Sequence, residues 1–417
     1  MIARPESWSR PADGIWLALA TALAGLVFLG GFFALHHGFY QRNVIIDTAH
    51  YQDYGDAVLA GNVPYRDFQL EYPPGALPVF VLPAIGHAHR SAFNTFNREF
   101  ETVMALCGLA ALGFMALAIR ALGGGAARLA RALGLAAVAP PLLGTVVLYH
   151  FDLWPAALTV ASLTALLVGR SRLGLGVLGL AAAAKLYPAL LLPPALVYVW
   201  RKRGRREALV AGAVCGAVLA ICFVPFLVLA PGGVWHSVTV QMGRPLQIES
   251  LGAGFMLAGY HLFGLGLTVR TDHGSQNFVG PGADTVATVS TGLELAAVAL
   301  VWIWFAFGPA ERERLLRGFA GIVCAFVAFG KVLSPQFLIW LVPLVPLVRG
   351  RRGIAASALL ALALVLTQLW FPYRYFDLFL RLDERASWLV LARDLVLVVL
   401  TCVLVVATRR GRESLRS

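Results

Sequence analysis

Residues 173–200 read LGLGVLGLAAAAKLYPALLLPPALVYVW and decide how this chain folds. The stretch is apolar enough to enter a membrane, yet basic clusters flank it at 170–172 and at 201–206. Cytoplasmic loops of membrane proteins concentrate arginine and lysine, so a single crossing would move one cluster to the outside. Near the middle, Lys185 is followed by Pro188, a combination at which a helix breaks. The stretch therefore predicts a hairpin of two short helices that enters and leaves on the cytoplasmic side.

A second stretch, residues 319–348, has the same properties. It reads FAGIVCAFVAFGKVLSPQFLIWLVPLVPLV and also has basic clusters at both ends. Its central lysine, Lys331, is followed by Pro335. The sequence thus predicts a second hairpin of the same kind.

The composition of the 417 residues is that of a membrane protein. Hydrophobic residues make up 59% and charged residues 13%, about half the roughly 25% usual in soluble domains. This excludes a soluble globular protein, a disordered chain and a disulfide scaffold. The five cysteines lie in apolar runs without zinc-ligand spacing. The apolar run 15–35 is longer than the roughly 7–15 residues of a signal-peptide core, so we interpret it as a retained first helix.

The fold class predicted is all-α: a polytopic membrane protein with about eight full spans and two short-helix hairpins, about 12 helices in total. The whole chain, 1–417, is interpreted as one integral membrane domain. Full spans are predicted at 15–36, 100–119, 132–149, 153–169, 209–230, 286–307, 353–371 and 387–407. External loops are predicted at 37–99, 231–285 and 372–386.

The net charge of +12 is explained by this topology. Cytoplasmic segments hold 22 of the 34 basic and 6 of the 22 acidic residues, a net charge of +16, and the remainder carries −4. The charge therefore indicates orientation, with both termini cytoplasmic. It does not indicate a nucleic-acid partner.

The first external loop mixes carboxylates with tyrosines, a composition that suits carbohydrate binding, because rings stack on sugar faces and carboxylates accept hydroxyl hydrogen bonds. Asp47 follows the first span near headgroup depth, where a lipid-linked donor would present its reacting carbon, and is the predicted general base. Asp67 and Glu71 are the alternatives, and a loop-structuring role for Asp47 also stays open. The predicted substrate contacts from this loop are Tyr51, Tyr54, Asp67, Glu71 and Tyr72.

Other candidates lie in three separate stretches. His150 and Asp152, in YHFDLWPA (149–156), indicate either a substrate contact or an interfacial turn. Lysines are costly inside a membrane, so Lys185 and Lys331 are predicted to bind the donor phosphate, with a structural ion pair as the alternative.

Arg244 and Glu249, in QMGRPLQIESLGAG (241–254), are predicted to bind donor phosphate and substrate respectively, or else to pair with each other. Gln336 in the LSPQF stretch is a further predicted substrate contact. Walker A, HExxH and GxSxG patterns are absent from the sequence, and no GxGxxG lies between a strand and a helix. No cofactor is therefore predicted, and the histidine spacing gives a divalent metal no support.

At these residues the chain resembles the polyprenol-phosphate-dependent glycosyltransferases of the GT-C superfamily, and more narrowly glycosyltransferase family 87. The motifs that carry the resemblance are DTAHYQDYGDAVLAGNVPYRDFQLEYPPGALP (47–78), HFDLWPA (150–156), AKLYPALLLP (184–193), RPLQIES (244–250) and KVLSPQFLIWLVPL (331–344). The resemblance implies a multi-helix membrane enzyme that faces the periplasm or cell exterior. It also implies a polyprenyl-phosphate-mannose donor, transfer with inversion to a glycolipid or glycan, and a catalytic carboxylate at Asp47.

The expected function is thus sugar transfer on the external face of the cytoplasmic membrane. The alternative is a transporter or flippase of lipid-linked sugars, which would also need polar residues at membrane depth and broken helices. A transporter does not explain an external loop rich in acids and tyrosines. Product formation by purified protein in detergent separates the two functions.

Overall fold

The computed structural model describes residues 11–86 and 93–406. Its α-helices are α1 (Pro11–Ala34), α2 (Thr48–Leu59), α3 (Leu77–Val81), α4 (Phe93–Ala121), α5 (Ala126–Leu143), α6 (Val146–Tyr149), α7 (Leu153–Leu167), α8 (Ser171–Ala184), α9 (Leu192–Arg203), α10 (Arg205–Leu229), α11 (Pro231–Met242), α12 (Leu251–Phe263), α13 (Pro281–Ala306), α14 (Arg312–Phe329), α15 (Gly350–Trp370), α16 (Tyr375–Arg381) and α17 (Glu384–Val405). Short 3-10 helices cover Gly38–Gln41, Pro74–Ala76, Leu82–Ala84, Tyr187–Leu191, Pro335–Trp340 and Val345–Leu347. Strands β1 (Leu246–Gln247), β2 (Val269–Asp272) and β3 (Ser275–Phe278) form an antiparallel sheet of order β1-β3-β2.

Seven of these helices are long and apolar enough to cross a membrane: α1, α4, α5, α10, α13, α15 and α17. They coincide with seven of the eight predicted spans and confirm the all-α membrane fold. The eighth prediction, 153–169, is corrected. It forms α7, whose 15 residues extend only about 23 Å, against roughly 30 Å of hydrocarbon. Twelve of those residues are buried, so α7 packs inside the protein, where its length need not match the bilayer.

The first predicted hairpin is confirmed by contacts between its two ends. Helix α8 ends at Ala184, and the next residue, Lys185, has extended backbone. At the other end of the hairpin, the Arg172 guanidinium bridges to Glu207 at 2.9 Å. The two basic clusters that flank residues 173–200 therefore lie at the same end of the molecule.

The second hairpin has the same arrangement with a different returning arm. The Arg128 guanidinium donates to the Glu313 carboxylate at 2.6 Å and to the Leu347 carbonyl at 2.7 Å. One side chain thus contacts both ends of the stretch 319–348. The returning arm consists of 3-10 turns instead of an α-helix, because its prolines lack N–H donors for a continuous helical ladder.

Arginines collect where several long helices begin or end, and we call this region the basic end. Their guanidiniums donate to carbonyls that a helix C-terminus leaves without a partner. Arg312 donates to Ala121 at 2.9 Å, Arg317 to Leu404 at 2.8 Å and Arg352 to Val406 at 2.7 Å. Within the described residues, the predicted cytoplasmic clusters therefore lie together.

At the other ends of the same helices, the three predicted external loops meet. The Asn43 amide donates to the Tyr373 carbonyl at 3.4 Å, and the Gln241 amide donates to Glu71 at 3.1 Å. The described residues contain 17 α-helices, more than the dozen expected, because these loops fold into α2, α3, α11, α12 and α16. Each of these helices is shorter than the roughly 20 residues of a full span.

Candidate active site

Asp47 occupies the position just before α2. Its side chain is about one-third exposed. The carboxylate oxygen Oδ2 lies 3.3 Å from Nε2 of His150 and accepts a hydrogen bond from the Tyr51 hydroxyl at 3.4 Å. Asp47 is therefore oriented by two side chains and still reachable from solvent.

The His150 ring is 4% exposed, and each of its two nitrogens faces an oxygen atom. Its Nδ1 lies 3.0 Å from the Val146 carbonyl, which can only accept, so Nδ1 carries a hydrogen. Nε2 faces a carboxylate oxygen, which also only accepts when it is ionised. Nε2 and the Asp47 carboxylate therefore face each other at 3.3 Å and form an ion pair when the ring is protonated.

The tyrosines of the first loop build an aromatic core around this pair. Tyr51 is 1% exposed and stacks on Phe80 with ring centroids 4.6 Å apart. Tyr72 meets Phe151 edge-on at 4.8 Å. Stacking on a sugar by Tyr51 and Tyr72 stays a prediction. In this structure their rings fix α2 against the turn that carries His150.

Lys185 lies beside that turn and forms an ion pair. Its ammonium is 2.6 Å from Oδ1 of Asp152, and the Trp340 indole donates to the same oxygen at 2.6 Å. The ammonium also sits over the rings of Phe151 and Trp340, 4.6 Å and 5.1 Å from their centroids. This geometry favours the structural ion pair, while contact with a donor phosphate stays a prediction.

Arg244 and Lys331 form a second group of cations near the site. The Lys331 ammonium donates to the Met242 carbonyl at 2.9 Å, and Arg244 donates to the Ser275 hydroxyl at 2.9 Å. Within the described residues, Arg244 and Glu249 are not at ion-pair distance. Each cation therefore donates to a neutral oxygen, and the negative charge of Glu294 also acts on Lys331.

Glu249 is 1% exposed and accepts a hydrogen bond from the Gln247 amide at 2.8 Å. Burial raises the pKa of Glu249 to about 8, and the positive charge of Arg393 opposes this shift. Burial, and then the charges of Glu249 and Asp47, raise the pKa of Tyr375. The hydrogen bond from the Asn43 amide to the Tyr373 carbonyl places the segment of Tyr375 beside the one that carries Asp47.

The remaining predicted residues of the first loop line a separate pocket. Asp67 pairs with Arg66 through two 2.9 Å hydrogen bonds. These bonds and the Val63 N–H lower the pKa of Asp67 to about 2. The pairing with Arg66 gives Asp67 a structural role, and the assignment of the base to Asp47, with Asp67 and Glu71 as alternatives, stays a prediction. Tyr54 lines the pocket too, and burial, followed by the charge of Glu71, raises its pKa to about 12.

Three further polar residues, Gln336, Arg393 and Asp394, lie partly or fully buried in the protein. Gln336 is half-buried in the 3-10 helix Pro335–Trp340. Arg393 and Asp394 in α17 are fully buried and 2.6 Å apart, and Arg393 donates to the Glu249 carbonyl at 2.7 Å. This pair was not predicted from the sequence, although two charged residues inside a predicted span are the signal that indicates it. Within residues 11–86 and 93–406, no three His, Cys, Asp or Glu side chains lie together as a metal ion would require.

Comparisons with known proteins add two findings. The model of glycosyltransferase family 87 matches residues 70–335, which is more than half of the chain. The match includes Lys185, Arg244 and Lys331 and begins after Asp47. Among solved structures, ArnT from Cupriavidus metallidurans bound to undecaprenyl phosphate is similar, with 17% identity and a TM-score of 0.49. The likeness covers 93% of this chain and 76% of that one, and a likeness of this degree does not bear on function. No protein with a curated description matches the chain.

Proposed function

Because this chain belongs to glycosyltransferase family 87, we propose that it transfers mannose from a polyprenyl-phosphate donor to a glycolipid or glycan acceptor. Its family and its seven apolar helices make it a multi-pass membrane glycosyltransferase. The observation that carries the finer proposal is the position of Asp47. This carboxylate is oriented, part-exposed, and close to both a polar pocket and a cationic group.

The proposed reaction is a direct displacement with inversion. Asp47 takes the proton of the acceptor hydroxyl as that oxygen bonds to the anomeric carbon. The bond from this carbon to the phosphate oxygen breaks, and its electron pair leaves on the lipid phosphate. In the described residues, the side-chain partners of Asp47 contact Oδ2, so Oδ1 is the oxygen left to face the acceptor.

The departing phosphate needs positive charge and no general acid, because it leaves as a stable anion. Arg244 and Lys331 are the proposed source of that charge, since both are held by neutral oxygens. In this proposal Lys185 fixes Asp152 and, through the turn 149–152, holds His150 against Asp47. The contact of Lys185 with phosphate is the alternative.

We place the active site on the external face of the cytoplasmic membrane. Support comes from the basic end, which under the positive-inside rule faces the cytoplasm and lies opposite the loops that carry Asp47. Residues 1–10 and 407–417 lie outside the described part of the chain, so the cytoplasmic location of both termini stays a prediction. Family membership favours an enzyme over the transporter alternative.

The test is an assay of purified protein in detergent with polyprenyl-phosphate-mannose and several glycolipid acceptors. Wild-type protein should form product without a membrane to cross, whereas a transporter should form none. Asp47→Asn should lower the rate by about 100- to 10,000-fold, the usual contribution of a general base. Asp284→Asn, a change of an exposed carboxylate in α13, is the matched control. Near-normal transfer by Asp47→Asn would overturn the assignment of the base.

A further inference from the structure

A pocket of about 520 Å³ lies between the first external loop, α11 and the β2–β3 turn. Polar side chains from all three elements line it, among them Asp67, Gln69, Glu71, His236, Gln241 and His273. Tyr54, Tyr65 and Phe68 supply ring surfaces. No prediction from sequence assigned His236, Gln241 or His273 to any site. The pocket therefore combines hydrogen-bonding groups with aromatic faces, and the proposed transfer step gives these groups no role.

The walls of this pocket are built by close packing and hydrogen bonds. A side chain at Gly233 would place its Cβ 1.9 Å from the Tyr65 carbonyl oxygen, so only glycine lets α11 approach the loop here. The Ser237 hydroxyl donates to the Glu71 carbonyl at 3.3 Å, and the Gln241 amide donates to the Glu71 carboxylate at 3.1 Å. The pocket is therefore a fixed feature of the fold.

The charges in the pocket select against an anion. The positive charge of Arg66 is neutralised by two hydrogen bonds to Asp67. Glu71, by contrast, is held by a neutral amide, and within the described residues it has no cation at ion-pair distance. A phosphate here would meet an uncompensated carboxylate. Carboxylates, amides and imidazoles beside ring faces instead match the hydroxyls and apolar faces of an uncharged sugar.

The pocket also lies where an acceptor would need to be. On one side, the Tyr54 ring meets Tyr72 edge-on at 6.4 Å, and Tyr72 meets Tyr51, whose hydroxyl donates to Asp47, at 5.9 Å. On the other side, the C-terminal turn of α11 joins the pocket to the proposed phosphate cations, since Gln241 contacts Glu71 while the neighbouring Met242 carbonyl binds Lys331. We propose that this pocket is the acceptor subsite and takes an uncharged polyhydroxy headgroup. The assignment of this ligand as the acceptor rests on the proposed function. The binding of an uncharged sugar in the pocket does not depend on it.

The experiment measures binding without donor, so that it does not depend on transfer. Saturation-transfer NMR on purified protein in detergent compares methyl α-mannoside, mannotriose and methyl α-mannoside 6-phosphate. We expect the neutral sugars to bind and the phosphate ester to bind at least about fivefold more weakly. Gln241→Ala should weaken neutral-sugar binding by about fivefold or more. Glu71→Gln should reduce the discrimination against the phosphate ester, while Thr239→Ala, elsewhere on α11, should change neither.

The outcomes separate this inference from the proposed function. Absence of neutral-sugar binding, preference for the phosphate ester, or binding unchanged in Gln241→Ala would overturn the pocket assignment. If wild-type protein transfers mannose and Gln241→Ala keeps a normal acceptor KM, the pocket fails and the proposed function stands. If the sugars bind as expected and no donor yields product, the proposed function fails and the pocket stands. An unchanged elution profile of each variant on size exclusion confirms that it is folded.

Discussion

The ion pair between Lys185 and Asp152 gives the sharpest test of how the site is held together. Asp152 is 1% exposed and Lys185 is 16% exposed at the side chain. Removing one partner of a buried ion pair costs about 3–5 kcal/mol, because the other charge stays buried without compensation. In Lys185→Met the Trp340 indole still donates to Asp152, so we expect a loss near the lower limit, about 3 kcal/mol in the free energy of unfolding.

The double variant Lys185→Met/Asp152→Asn separates the two functions open to Lys185. It removes both charges and keeps an oxygen for Trp340, so a structural pair predicts recovery of at least about 2 kcal/mol relative to the single variant. Denaturant unfolding in detergent measures this, and transfer rates should recover in parallel. If the two substitutions instead have additive effects on stability, and the double variant keeps a raised KM for the donor, the structural ion pair is refuted and Lys185 contacts the phosphate.

Two further predictions concern His150 and Glu249. His150→Phe removes a charge-assisted contact of roughly 1.5–3 kcal/mol, so kcat should fall about 10- to 100-fold, with little change in the KM for the donor; an unchanged kcat would exclude a positioning role. Burial raises the pKa of Glu249 to about 8 from an ordinary 4.5, so its protonated form is favoured in the folded protein. Stability should therefore fall as pH rises from about 4.5 to 8, and Glu249→Gln should flatten that dependence in unfolding measured across pH; a wild-type-like slope would contradict it.

Much of the fold was predictable because its determinants are local in sequence. Apolar length gives the spans, and the positions of the arginines give their direction. The hairpins at Lys185 and Lys331 follow from basic residues at both ends of one apolar stretch, which a single crossing cannot satisfy. The length of α7 was not predictable in this way, because an apolar sequence does not show whether lipid or protein will surround the helix.

The residue types that form the site could be predicted from the sequence, but the contacts between their side chains could not. The loop around Asp47 stands out by its mixture of acids and tyrosines, yet nothing local indicates that Tyr51 is buried against Phe80. The partner of Lys185 lies 33 residues away in the chain, and Trp340, which completes that cluster, lies 188 residues from Asp152. Such pairs are set by how helices pack, which a single sequence does not display.

The two hairpins connect the architecture to the chemistry. Each apolar stretch stops being helical beside its lysine, so backbone and ammonium groups become available where a continuous helix would bury them. In the first hairpin the ammonium binds Asp152 in the turn that carries His150, and in the second it donates to the Met242 carbonyl, two residues before Arg244. Both lysines therefore reach the proposed site from segments that begin and end at the basic end. In the proposed orientation, a hairpin lets a segment supply a charge to an external site while its basic flanks stay on the cytoplasmic side, which a single crossing cannot do.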